Sequence, residues 1–128
     1  MSDFVEDFKA HLQADSSIVA AVSNRIYPQI IPDRGSIPAI TYRIIVGEPA
    51  NSLDGHTNGM VHYILQVDCW TRSFETAKSL ARLVRTRIGV KAATFSALVL
   101  EAPGEDEYED DTKRYRRMLT ISCRHHET

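Results

Sequence analysis

Apolar positions along this chain recur with two different periods, and each change of period marks an element boundary. From Met60 to Trp70 the residues Val61, Tyr63, Leu65, Val67 and Cys69 occupy every second position, the signature of a strand with one buried face. Directly afterwards the period lengthens. Ala77, Leu80, Ala81, Val84 and Ile88, with Phe74 beside them, form one stripe on a helix that Thr71 or Ser73 caps. Arg85 and Arg87 fall in its last turn, where the helix dipole favours cations, and Gly89 stands at the C′ position.

The same reading extends to both sides. Ser2 is an N-cap candidate, and Phe4, Phe8 and Leu12 place a helix that ends near Ala14. Asp15-Ser16-Ser17 caps a second helical piece with Ile18, Val19 and Val22 inward, closed by Asn24 in the left-handed region. Tyr27-Pro28 and Ile31-Pro32 read as an irregular extended connection. A strand over Ala39 to Val46 puts Ile40, Tyr42, Ile44 and Val46 on one face, and the turn-rich run Gly47 to Gly59 reads as a long, mobile loop. Phe95 to Ala102 forms a third strand and Lys113 to Arg124 a fourth, with the acidic run Glu105 to Asp111 as a charged hairpin tip between them. The expected architecture is one α+β domain over residues 1–128: an N-terminal helical segment, then two antiparallel hairpins flanking a central helix (α-β-β-α-β-β), with helices packed on one face of the sheet.

Composition narrows the function classes. The 128 residues suit one domain with its own core and no need for a metal or disulfide staple. A formal charge of -2 argues against a general nucleic-acid or membrane-surface binder. No apolar run approaches the roughly 18 to 20 residues of a membrane-spanning helix. The acidic N-terminus has no signal-peptide core, so the expected location is the cytoplasm of the cell that makes it. Cys69 and Cys123 lie on strand-like segments and read as small buried hydrophobes in a reducing compartment.

Catalytic chemistry finds no purchase. There is no G-x-S-x-G, P-loop or G-x-G-x-x-G. Cys123, His125 and His126 could recruit His62 or Cys69 to a metal, but without paired short spacings they read as a solvated tail after the last strand. The acidic run lacks the spaced acids, central Gly and distal Glu of a calcium loop. Trp70 reads as a core or helix-capping aromatic. No cofactor is expected and the chain does not read as an enzyme. What remains is charge patterning. Glu105, Asp106, Glu107, Glu109, Asp110 and Asp111 sit against Arg114 and Arg116 of the last strand, while Arg82 and Arg85, with Lys78, share a face of the main helix. These residues are the candidate interface, with opposite charges arranged for protein docking.

The order Arg25-Ile26-Tyr27-Pro28, Pro38-Ala39-Ile40-Thr41-Tyr42 and Gln66-Val67-Asp68-Cys69-Trp70, followed by the helix from Phe74 to Ala81, resembles the tail-completion proteins of long-tailed bacteriophages. The resemblance spans Phe4 to Cys123, and the dense acidic run departs from it. It implies a non-enzymatic subunit of a ring, typically a hexamer, at the head-proximal end of the tail tube in phages and prophages. Such a head-to-tail joining or tail-terminator ring stops the tube and meets the head connector. Its partners would be copies of itself, the tail tube protein and the head connector proteins, with DNA passing through the lumen without specific binding. It would assemble in the host cytoplasm and reside in the virion tail. A head-side connector or stopper protein is the rival within that class, and a small nucleic-acid-binding accessory protein the rival outside it.

Overall fold

Two amphipathic helices and a strand-dominated remainder must bury their apolar faces against each other, and in a computed structural model they do so as two layers. The structure describes residues 4–32, 36–51, 57–90, 95–99, 105–110 and 113–126. In chain order the elements are α1 (Phe4–Gln13), α2 (Ser16–Val22), β1 (Ile26–Pro28), β2 (Ala39–Asn51), β3 (Thr57–Thr71), α3 (Phe74–Ile88), β4 (Phe95–Val99), β5 (Glu105–Glu109) and β6 (Arg114–His126). The fold is α+β, with the helices on one face of a mixed sheet.

The helices begin where local chemistry supplies acceptors. Asp15 caps α2 through its Oδ1, which accepts from the N–H groups of Ser17 and Ile18 at 2.9 and 3.2 Å. Ser73, not Thr71, caps α3 by accepting from Thr76 N–H. Their ends differ from expectation. Ser23, with φ 55°, takes the positive-φ position after α2 in place of Asn24. Gly89 stays right-handed, and its N–H reaches the carbonyls of Arg85 and Arg87.

The sheet runs β1-β2-β3-β6 and then β4, with β5 also on β6. Among the described residues only the β1–β2 pair is parallel. β4 pairs with the end of β6 (Val99↔Ile121 to Phe95↔His125) and β5 with its beginning (Glu105↔Met118 to Glu109↔Arg114), so the two share one edge. One sheet face carries Ile40, Tyr42, Leu65, Val67, Cys69, Leu119, Ile121 and Cys123. It packs against Phe4, Phe8, Leu12, Ile18, Val22, Leu80, Val84 and Ile88. Phe4 stacks on Tyr63 with ring centroids 4.3 Å apart and planes 8° from parallel. Cys69 and Cys123 are free, buried thiols on this face. Burial pushes both thiols up, Cys123 to about 12.

Several expectations change. Ile26 to Pro28 is a short strand, because its backbone finds the parallel edge of β2; Ile40 N–H reaches Arg25 C=O at 2.9 Å. Much of the expected loop from Gly47 to Gly59 is strand. β2 continues to Asn51 and β3 starts at Thr57, while residues 52–56 lie outside the described residues. Gly47 tolerates this pairing because the Tyr63 ring lies over it: an added Cβ would sit 3.0 Å from that ring. Pro49 is placed on a sheet edge, where a missing N–H is harmless. A bulge between Ile44 and Val46 inserts Ile45, so Ile44 opposes core-facing Leu65 but Val46 opposes Ile64 on the other face. The single face expected for Ile40, Tyr42, Ile44 and Val46 therefore breaks at the bulge. The third strand is present over Phe95–Val99, and the rest of its expected span falls in residues 100–104, outside the described residues.

Most of the acidic run is not a hairpin tip. Glu105 to Glu109 is strand β5, since each acid faces a basic or neutral partner on β6, which offsets the poor strand preference of acids. His125 is not in a solvated tail either. It is fully buried at the end of β6, its Nε2 is 2.7 Å from Asp7 Oδ2, and its ring is 5.2 Å from that of Phe4.

Candidate interaction surface

Alternation along β2, β3, β5 and β6 sends one set of side chains to the helices and leaves the other on a face that no described helix covers. That open face carries a polar network four strands wide. Arg43 Nη2 donates to Gln66 Oε1 at 3.1 Å, and Gln66 Nε2 donates to both oxygens of Asp68 at 3.0 and 3.2 Å. Asp68 Oδ2 lies 3.7 Å from Arg116 Nη1, and Arg116 Nη2 donates to Glu107 Oε2 at 2.7 Å. The Arg116 guanidinium also sits over the Trp70 ring, 5.1 Å from its centroid, and Trp70 Nε1 donates to Thr41 Oγ1. Trp70 is thus neither a core residue nor a helix cap; it shields one side of the network.

Asp68 is nearly closed to solvent beneath these groups. Burial pushes its carboxyl above the usual range, opposed by the Gln66 hydrogen bond and the charges of Arg116 and Arg43. A carboxylate so tethered on both oxygens is a structural tie between strands. Around it lies a shallow depression lined by Ile31, Arg43, Asp68, Trp70, Glu109 and Arg114, among others. Among the described residues, no group of three or more His, Cys, Asp or Glu converges as a metal site.

The ten residues singled out from sequence do not form one cluster. Glu107 and Arg116 meet on the open face. Asp106 projects to the helix side and holds buried Arg117, a residue outside the candidate set, through Nη1 at 3.2 Å. Glu109 opposes Arg114 across the strand pair, and Glu105 opposes Met118. Asp110 is exposed in the turn after β5, and Asp111 lies outside the described residues. Much of the acid-against-base pattern is therefore satisfied within the chain. Arg82 and Arg85 stand apart on α3: Arg82 is exposed, and Arg85 is half-buried with its Nε enclosed and no acceptor among the described residues.

Sequence reasoning missed a second feature, a run of exposed aliphatics at the start of the β2 edge that no described strand covers. β1 covers β2 only from Ile40 to Tyr42. Beyond it Ile44, Ile45 and Val46 are exposed, and Ile30, just after β1, is 74% exposed. Val5, Pro28, Ile30, Tyr42 and Ile44 line a depression there. The signal was present as four consecutive positions, Arg43-Ile44-Ile45-Val46, with more apolar residues than one buried face needs.

Comparison with known proteins adds a family. A family model described as "Tail completion protein gp17" matches residues 7–126. Among solved structures, a chain from the "Virion of native gene transfer agent (GTA) particle" has the same fold. Its TM-score is 0.62 at 18% identity, covering 95% of this chain and 93% of that one. No curated protein matches.

Proposed function

This chain belongs to the tail completion protein gp17 family, a family of structural phage tail proteins, and we propose that it works as a ring, typically of six copies, at the head-proximal end of the tail tube. There it terminates the tube and joins it to the head connector. The observation that carries this reading is the family match over nearly the whole chain. The surface chemistry supports it. A closed ring needs two different complementary faces on each copy. The described sheet has two edges of different character, one apolar with Arg43 and one acidic along β5. Arg82, exposed on α3, and the half-buried Arg85 one turn on suit a carboxylate on a neighbouring virion protein.

In this reading the subunits act without catalysis, assemble in the host cytoplasm and contact the tail tube protein and head connector proteins. DNA passes through the lumen without specific binding. Arginines already tied to carboxylates, as Arg116 is to Glu107 and Asp68, offer phosphates little free charge. Exposed acids in β5 and its turn repel a passing duplex across about a Debye length.

The test is assembly in particles lacking this chain. Separate heads and tails should accumulate, and adding purified protein should restore joined particles. Normal joining without the protein would overturn the proposal.

A further inference from the structure

The two edges of the sheet left uncovered by the described residues match each other face by face. β2 runs antiparallel to β3, β3 to β6 and β6 to β5, so β5 runs opposite to β2 within one chain. Copies related by rotation about an axis along the strands keep that opposition, and the β5 edge of one then meets the β2 edge of the next as an antiparallel pair. Side-chain parity decides what touches. On β2, Arg43 opposes Gln66 on the open face and Ile44 opposes Leu65 on the helix side. On β5, Glu107 and Glu109 belong to the open face with Arg116 and Arg114, and Tyr108 to the helix side with Tyr115. A continued sheet therefore puts a cation against carboxylates on one face and an aliphatic side chain against an aromatic ring on the other. Ile44 is 42% exposed and Tyr108 49%, large apolar groups that each edge leaves half-wet.

We propose that the β2 edge from Arg43 to Val46 is the docking site for strand β5 of a second copy of this chain, with Ile44 opposite Tyr108 and Arg43 opposite Glu109. This deepens the ring reading and rests on it for the direction of the contact. The extent of the site is bounded on both sides. Below Arg43 the edge is occupied by β1, and above Gly47 the Pro49 ring removes a backbone donor. Between these limits stands an unguarded stretch of strand whose exposed β-branched side chains invite pairing. The bulge at Ile45 bends that stretch, which restricts it to a partner of matching twist.

The natural cysteines make the test clean, because both are buried with their thiols held far from the thiolate form. Purified full-length Ile44→Cys and Tyr108→Cys proteins are oxidised separately and as a mixture, at concentrations up to the solubility limit. The expected result is a disulfide-linked dimer in the mixture and none in either protein alone. Adding Arg43→Glu to the Ile44→Cys protein should reduce the yield several-fold while leaving its circular dichroism unchanged. Dimers of Ile44→Cys alone would mean a two-fold β2–β2 contact and overturn the proposal, as would no cross-link at any concentration. Rings seen by electron microscopy without the mixed cross-link would sink this contact and leave the ring reading standing. A mixed cross-link from a protein that does not restore particle joining would do the reverse.

Discussion

Leu65 on β3 and Leu80 on α3 belong to one core cluster, and both are closed to solvent. Truncating either to alanine removes buried methyls and leaves a cavity that a packed two-layer core cannot collapse. Each change is expected to cost about 2 to 5 kcal/mol in urea unfolding, and losses under about 1 kcal/mol would place the residue nearer the surface. His11 gives a residue-scale dependence on pH. Its Nε2–H donates to Arg87 C=O at 2.9 Å while Arg87 Nε–H donates back to His11 C=O at 2.7 Å, clamping α1 to the end of α3. Burial, with the neighbouring Arg87 charge, lowers its pKa from 6.5, so the folded state favours neutral imidazole. Stability from this group is present above pH 6.5 and is lost as pH falls through the depressed folded value. His11→Gln keeps a donor without a titration. The melting temperature of the natural chain should therefore fall further than that of the variant between about pH 7 and about pH 5. Parallel falls would remove His11 from the account.

At the scale of elements, legibility followed how local each stabilising interaction is. α1, α3 and the inner half of β3 were readable because period, caps and core contacts agree along one stretch of sequence. Asp15 and Ser73 are caps the sequence announces, and Ser73→Ala should cost about 1 kcal/mol. β1 and β5 were not readable, because each becomes a strand only through a distant partner. A bare Glu-Asp-Glu-Tyr-Glu segment reads as loop until Arg116 and Arg117 lie across from it. The β2 bulge was equally hidden, since one inserted residue inverts every later side chain without any local signal. The candidate interface suffered the same way: its residues were identified by charge, but the pattern could not say that Arg116 and Arg117 bind acids of their own chain. That pairing has a consequence for stability. Asp106→Ser deprives a buried guanidinium of its carboxylate and should cost about 1.5 to 3 kcal/mol in chemical denaturation, whereas exposed Asp110→Ser should change stability by less than about 0.5 kcal/mol. Equal effects at the two positions would show that β5 is not held through Arg117.

For the whole molecule, the arrangement of charge separates a tail subunit from a nucleic-acid binder. An arginine-rich β6 suggested phosphate contact, yet Arg116 and Arg117 are engaged at 2.7 and 3.2 Å by Glu107 and Asp106. The expected outcome is no salt-sensitive shift of duplex DNA in a gel near physiological ionic strength. A shift that weakens steeply with added salt would favour the accessory-protein reading. What the two layers do offer is a sheet with free edges, an open polar face and a helix layer bearing unpaired cations among its described residues, the equipment of a subunit that meets copies and neighbours. The most direct measurement is cryo-electron microscopy of assembled particles to locate this chain. A single closed ring of its density between the tail tube and the head connector is the predicted result; density elsewhere on the particle, or none, would contradict it.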